Sequence, residues 1–281
     1  MDSQKKFKPV YSFEFFPPKT PKGEENLRKT RAELAKLKPR FFSVPFGAGR
    51  STRDRTYQTV TDIQNSGSAA APHISCIASG KQEIEELLRK YQQAGINHLV
   101  ALRGDMPSGT YERGDFRYAN ELVDYIRKLT GRHFFIEVAA YPEFHPQAHT
   151  AEADIENFVR KVKSGADSAI TQYFYNIDSY FYFIERCQQA GVNIPVVPGI
   201  MPITNYEGLA RFSDRCGAEI PRWIRKQLEA YQNDEASVKA FGIEVVTQLC
   251  RQLLDAGAPG LHFYTMNQAE PTVTIWKNLG L

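Results

Sequence analysis

A glutamate stands inside an otherwise apolar run near the start of the chain: Glu14 in SFEFFPP, flanked by Phe13, Phe15 and Phe16 and stopped by Pro17 and Pro18. A carboxyl in apolar surroundings resists ionisation, and a pKa raised toward working pH is what a general acid needs. A satisfied structural ion pair is the competing reading, although buried unpaired carboxylates are rare unless used. ALRGDMP sets Arg103, Gly104 and Asp105 side by side. The glycine admits close approach of backbone to a ligand, and the flanking charges either pair with each other or serve a heterocycle offering donors and acceptors together. AAYPEFHP brings Tyr141 and His145, and ITQYFY carries Gln172, a neutral amide in an aromatic segment that must find hydrogen bonds. His73 in APHISC is more simply a core histidine bonded to backbone. In TAEADIENFVRKVKSG, Asp154, Asn157 and Lys161 share one helical face with Arg160 alongside. A solvated charged face and a grip on the ribose, diphosphate and adenine of a nucleotide both fit that pattern.

Neither GxxxxGK[ST] nor a GxGxxG after a strand occurs, and PFGAGRST, the nearest approach, has Ser51 or Thr52 where the third glycine belongs. Any flavin or nicotinamide would therefore be held in a non-Rossmann manner. His145 and His149, with Glu143 nearby, have a metal-ligating spacing, but Pro146 between them could at best begin the helix such a site needs. No lysine stands out at a strand end as a Schiff-base candidate.

These residues need elements to position them. Short β-branched and aromatic runs recur, each followed by a longer segment of helical periodicity, which is the sign of repeated βα units. The strand candidates number eight: 11–16, 41–46, 72–77, 98–103, 134–141, 169–175, 195–200 and 261–265. Between them lie helical patterns such as 24–37, 81–94, 119–129, 151–164 and 179–190, several ending in a pair suited to a C-cap: Ala94-Gly95, Ser164-Gly165, Ala190-Gly191 and Ala256-Gly257. Eight units in 281 residues predict an α/β fold: one (β/α)8 TIM-type barrel, a single catalytic domain spanning residues 1–281. The stretch 205–255 is too long for one crossover helix and is expected to hold two or three extra helices between strands seven and eight, broken at Ile220-Pro221. In such a barrel the active site lies at the C-terminal ends of the strands, where the residues above fall.

A hydrophobic fraction of 42% with 24% charged residues describes an ordinary soluble protein with a sizeable core. The net charge of +3 is small and spread, which argues against nucleic acid as a partner. The cysteines Cys76, Cys187, Cys216 and Cys250 form no CxxC pair, so a reducing cytoplasm fits best. The apolar run after the N-terminal lysines is too short for a signal core, and no stretch approaches the roughly 18 apolar residues of a membrane span.

The combination SFEFFPPKT, LKPRFFSV, RDRT, APHISC, ALRGDMP, AAYPEFHP, GADSAITQYFYN, PGIMPITNY and HFYTMN, in this order, resembles the methylenetetrahydrofolate reductase family from the first strand to the last. The resemblance implies a flavin-dependent (β/α)8 barrel of the bacterial type, without a regulatory domain. It implies FAD as cofactor and NADH or NADPH as hydride donor, in ping-pong reduction of 5,10-methylenetetrahydrofolate to 5-methyltetrahydrofolate, a step of one-carbon metabolism and methionine biosynthesis. Glu14 matches the acid that helps open the five-membered ring, and Asp105 matches a carboxylate that binds the pterin near the flavin. Gln172 matches an amide contacting folate and nicotinamide in turn, Phe212 an aromatic that stacks on either substrate, and Tyr264 falls among the substrate contacts. Phe46, His73, Arg103, Gly104, Asp105, Tyr118, Ala119, Tyr141, His145, Asp154, Asn157, Arg160 and Lys161 match positions around the flavin, its ribityl chain, diphosphate and adenine. Relatives assemble as dimers or tetramers, so a homo-oligomer is expected.

Pro45 departs from the family pattern, standing where many relatives carry Thr, and proline removes a backbone donor at a strand end. Gly208 and Gln268 stand where some members use Gln and Arg to contact the folate tail. Two other readings compete: a non-catalytic flavin-binding barrel and a metal-dependent barrel hydrolase.

Overall fold

The computed structural model describes residues 1–46, 50–77, 79–104, 114–231 and 234–281, of which 50–52 by backbone alone. In chain order the elements are α1 (Asp2–Lys5), β1 (Val10–Glu14), α2 (Pro21–Ala35), β2 (Phe41–Val44), α3 (Arg50–Asn65), β3 (Ala70–Ser75), α4 (Lys81–Gln93), β4 (His98–Leu102), α5 (Ala119–Thr130) and β5 (Phe135–Ala140). There follow α6 (Ala151–Lys163), β6 (Ser168–Thr171), α7 (Ile177–Gln189), β7 (Val196–Val197), β8 (Gly199–Ile200), α8 (Tyr206–Cys216), α9 (Arg222–Tyr231), α10 (Glu235–Asp255), β9 (Gly260–Tyr264) and α11 (Glu270–Leu279). The strand order is β7-β6-β5-β4-β3-β2-β1-β9-β8.

All eight expected strands are present, which bears out the (β/α)8 class, and the seventh is divided into β7 and β8 at Pro198. Proline has no N–H to give a ladder, but its carbonyl still accepts from the backbone N–H of His262 at 3.0 Å. The 205–255 stretch holds three helices, α8, α9 and α10, and α9 begins directly after Pro221. Asn205 caps α8 by accepting from the Gly208 N–H at 2.7 Å, and Asp234 caps α10 through the Ser237 N–H at 3.1 Å. The expected A-G and S-G helix ends all carry glycine at positive φ; Gly165, at +113°, adopts a backbone conformation that a side chain would strain.

The chain groups into two compact units. One comprises Ser12–Ala139 and Phe158–Ala169. Here β1 to β5 run parallel with a fixed register: Glu14 beside Ser43, Ser43 beside Ala71, His73 beside Val100, and Leu99 beside Ile136. Phe13, Phe15, Phe42, Leu99, Ile136 and Val138 are fully buried in it. The other unit comprises Met1–Tyr11, Ala140–Asn157 and Ile170–Leu281. Its β8 and β9 are parallel, with Gly199 beside His262. Short α1 is moored by one buried side chain: the Gln4 amide donates to the Ile194 carbonyl at 3.3 Å and accepts from the Val196 N–H at 2.8 Å. Among the described residues no helix is long and apolar enough to cross a membrane.

Close packing in the second unit gives a stability prediction. A methyl on Gly242, within α10, would sit 2.2 Å from the Ile203 carbonyl oxygen. Alanine is the better helix former by ~1 kcal/mol, but overpacking costs typically about 1–3 kcal/mol. Gly242→Ala is expected to lose stability by on the order of 1 kcal/mol, read as a lower urea midpoint at unchanged slope; a midpoint equal to or above the parent's would show that the helix moves aside freely.

Candidate active site

Glu14 ends β1, and its neighbour across the ladder is Ser43, so the two side chains share one face of the sheet. The Ser43 hydroxyl donates to Glu14 Oε2 at 3.3 Å, and His73 Nε2 lies 3.2 Å from the same oxygen, off the line of a good hydrogen bond. All three are buried, with Glu14 5% exposed. Alternation along the strand sends Phe13 and Phe15 to the opposite face, where they meet Phe42 with ring centroids 5.9 and 5.0 Å apart. The carboxyl flanked by phenylalanines in sequence thus keeps company with an imidazole and a hydroxyl, a correction to its expected apolar surroundings. His73, expected as a backbone-bonded core histidine, instead turns its Nε2 toward Glu14.

Asp105 lies outside the described residues. Its neighbour Gly104 holds φ at +81°, and a Cβ there would sit 1.8 Å from the Ser75 hydroxyl oxygen, which donates to the Arg103 carbonyl at 2.8 Å. Only glycine fits this strand end. The Arg103 Nε donates to the Gly104 carbonyl at 3.2 Å, so its guanidinium folds back over the same turn. The Arg53 guanidinium rests 5.1 Å from the centre of the Phe46 ring. Pro45, lacking an N–H, accepts the Thr56 hydroxyl at 2.9 Å through its carbonyl and so anchors α3.

Tyr118 caps α5 with its ring 56% exposed, next to buried Ala119, and Glu121 fixes the turn by accepting from the Arg117 N–H at 2.6 Å and the Tyr118 N–H at 3.3 Å. A cavity of about 440 Å³ on this flank is walled by charges of both signs, including Lys81, Asp115, Arg117 and Glu121, and contains neither Glu14 nor Gln172. On α6 the picture of a uniformly solvated charged face does not hold. Asp154 is buried and accepts from the His145 N–H at 3.0 Å, and Lys161 donates to the Ala139 carbonyl at 2.5 Å, while Asn157 and Arg160 are exposed. Asp154 thereby sets His145, whose ring meets Tyr141 edge-on at 4.5 Å.

After β6, the Gln172 Oε1 accepts from the Tyr173 N–H at 3.0 Å, which leaves its amide nitrogen as the group to donate. The Tyr173 hydroxyl lies 2.8 Å from Ser213 Oγ, and the Cys216 thiol donates to it at 3.5 Å. Burial pushes this phenol far above its ordinary range, so it keeps its proton. The Phe212 ring stacks on Tyr173 at 5.9 Å and 17°. The Tyr264 hydroxyl donates to the Thr171 carbonyl at 2.8 Å, and its ring stands edge-on to Tyr173 at 6.4 Å. Gly208 is spent in the Asn205 cap, and exposed Gln268 ties its N–H to Thr265.

Sequence reasoning missed Ser43, Tyr173, Ser213 and the place of Glu143. Ser43 had a signal, being a polar residue in an otherwise apolar strand next to the one that carries Glu14. Glu143 follows β5. Its Oε2 accepts from the Glu219 N–H at 2.8 Å, its Oε1 is buried without a hydrogen-bond partner among the described residues, and burial raises its carboxyl to about 7.

Three comparisons place this geometry among known proteins. The profile of the family described as methylenetetrahydrofolate reductase matches residues 1–280. The chain is 40% identical over 271 residues to the 5,10-methylenetetrahydrofolate reductase of Salmonella typhimurium, covering 96% of this chain and 90% of the relative. It is 38% identical over 286 residues to methylenetetrahydrofolate reductase (NADH) 1 of Arabidopsis thaliana, covering 97% of this chain and 48% of that protein. A solved structure from Clostridium thermocellum, described as binding two copies of 5-methyl-5,6,7,8-tetrahydrofolic acid, superposes with a TM-score of 0.72 over 99% of this chain and 96% of its own, at 14% identity. That likeness shows a shared (β/α)8 fold.

Two outcomes follow from the geometry. Gly104→Ala is expected to displace the strand end that carries Arg103 and to lower melting temperature by several degrees, corresponding to a loss on the order of 1–3 kcal/mol for an overpacked, strained position; an unchanged melting temperature would show that the turn has room. Glu143 has a folded pKa of about 7, above its unfolded value of 4.5, so the folded state holds the proton more tightly between those limits. Its contribution is therefore fully present below about pH 4.5 and is lost as pH rises through about 7. Glu143→Gln should abolish that part of the decline, gaining stability relative to the parent at pH 8 compared with pH 5, as read from urea midpoints; parallel midpoint curves for the two proteins would contradict it.

Proposed function

This chain belongs to the methylenetetrahydrofolate reductase family, and from that premise we propose that it reduces 5,10-methylenetetrahydrofolate to 5-methyltetrahydrofolate with bound FAD and with NADH or NADPH as donor, the two substrates reacting alternately in ping-pong order. The observation that carries the reading is a buried carboxyl at the C-terminal end of β1, with one oxygen shared by the Ser43 hydroxyl and the His73 ring. We further propose that the protein works in the cytoplasm as a single catalytic domain and a homo-oligomer, dimer or tetramer.

The residues present suit a flavin. Arg160 and Asn157 are exposed on α6, and Tyr118 is exposed at the start of α5. Phe46, His73, Arg103, Gly104, Asp105, Tyr118, Ala119, Tyr141, His145, Asp154, Asn157, Arg160 and Lys161 are proposed to hold FAD, the basic groups at its diphosphate. FAD held there would supply the means of passing hydride from the nicotinamide to the folate.

Glu14 supplies the proton. As a carboxylic acid it donates to the nitrogen released when the five-membered ring of the folate opens, while the Ser43 hydroxyl holds its oxygen in place and the His73 ring lies beside it. Asp105 is proposed to bind the pterin. The Gln172 amide, oriented by its own backbone, donates to folate and nicotinamide in turn, and Phe212 with Tyr264 provides apolar ring surface for both. The family of the Salmonella and Arabidopsis relatives and the tetrahydrofolate ligand of the Clostridium structure support this choice of substrate.

The test is an anaerobic titration of the purified yellow protein with NADH, followed by methylenetetrahydrofolate. Bleaching and then recovery of the oxidised flavin band are expected. A flavin that NADH cannot bleach would favour a binding module, and a colourless zinc-binding protein would favour a hydrolase. Glu14→Gln should leave bleaching within about twofold of the parent and slow recovery by at least ~100-fold, the usual span of general acid catalysis; equal loss of both half-reactions would remove Glu14 from its role.

A further inference from the structure

We propose that Glu143 is a positioning residue whose carboxyl clasps the loop after β5 to the turn after α8, and so holds Phe212 and Ser213 against Tyr173. The identity of the ligand that uses these rings rests on the folate reading above; the clasp itself does not.

Glu143 occupies the loop between β5 and α6, and its Oε2 accepts the backbone N–H of Glu219 at 2.8 Å. Glu219 lies two residues past Gly217, the left-handed residue that ends α8. A second contact joins the same two segments: Pro146 packs so closely on the turn that a Cβ on Gly217 would meet its Cγ at 2.7 Å. The loop and the helix end therefore locate one another by one hydrogen bond and one apolar contact. The last turns of α8 carry the residues at stake, Phe212 stacked on Tyr173, Ser213 bonded to the Tyr173 hydroxyl, and Cys216 donating to it.

The loop is not relaxed. Phe144, directly after Glu143, adopts φ +67° with its ring 38% exposed, a conformation that a bulky residue keeps only where its neighbours over-determine it. Three contacts fix it: the Phe144 N–H donates to the Tyr141 carbonyl at 3.3 Å, the His145 N–H donates to Asp154, and the preceding residue is held by the Glu143 bond to Glu219. Glu143 commits only one oxygen to the tie, so a side chain with a single acceptor in that place suffices to make it.

Hydrogen exchange and steady-state kinetics on the full-length, flavin-loaded protein test this. Glu143→Ala is expected to speed amide exchange in peptides covering 212–221 and to raise the KM for methylenetetrahydrofolate about fivefold with kcat within about twofold, the scale of one lost hydrogen bond. Glu143→Gln, which keeps an oxygen acceptor, should restore both. Glu219→Pro, which deletes the donor from the other side, should reproduce the alanine result, and decides the matter should Glu143→Ala fail to fold. Exchange unchanged in both disrupting variants overturns the clasp. Faster exchange with unchanged KM overturns its role in positioning the rings. Failure of the parent to turn over the folate would sink the substrate reading alone, and the exchange comparison would still decide the clasp.

Discussion

A carboxyl buried at the end of a strand has to be answered by polar partners, and the first five strands are arranged to give Glu14 its answer. Parallel register places Ser43 directly beside it and brings His73 to the same oxygen from the next strand. Leaving a buried charge without a partner costs several kcal/mol, whereas a well-made buried pair is often no better for stability than an apolar substitute. The arrangement therefore makes little sense as a device for holding the fold. It holds the carboxyl in one place, while Phe13, Phe15 and Phe42 do the packing on the other face of the same strands.

A second regularity runs through both units. Side chains are tied to main-chain groups at strand ends: Ser75 to the Arg103 carbonyl, Lys161 of α6 to that of Ala139, Tyr264 to that of Thr171, and Gln172 to the N–H of its own neighbour. Backbone partners on strands move little, so the side chains tied to them keep less rotamer freedom. Where the tie is to a loop, as with Asp154 and His145, a helix supplies it.

Much of this was legible in the sequence. Eight strands, the three helices of 205–255, the break at Pro221 and the glycine helix ends all follow from periodicity and local backbone chemistry, and the structure bears them out. The division of the seventh strand at Pro198 is not among them: 195–200 reads as one strand, although proline cannot donate to a ladder. What could not be read was orientation across strands. The phenylalanines around Glu14 looked like its environment because they are its neighbours in sequence, yet period-two alternation makes immediate neighbours the residues least able to touch it. Ser43, Tyr173 and Ser213 were missed for the same reason, since their partners lie tens of residues away and only the register reveals them. The choice between an Arg103–Asp105 pair and a ligand contact rests on Asp105, which lies outside the described residues; Arg103 Nε donates to the Gly104 carbonyl.

Gly199 carries one further lesson. A Cβ there would lie 2.1 Å from the Thr171 carbonyl oxygen and 2.7 Å from a ring carbon of Tyr264, while its own N–H donates to the Thr171 hydroxyl. The missing side chain is thus the space through which Tyr264 reaches its anchor. A residue with a side chain at this position would push the Tyr264 ring off the Thr171 carbonyl, so the place of that tyrosine is set as much by an atom that is missing on the neighbouring strand as by its own hydrogen bond.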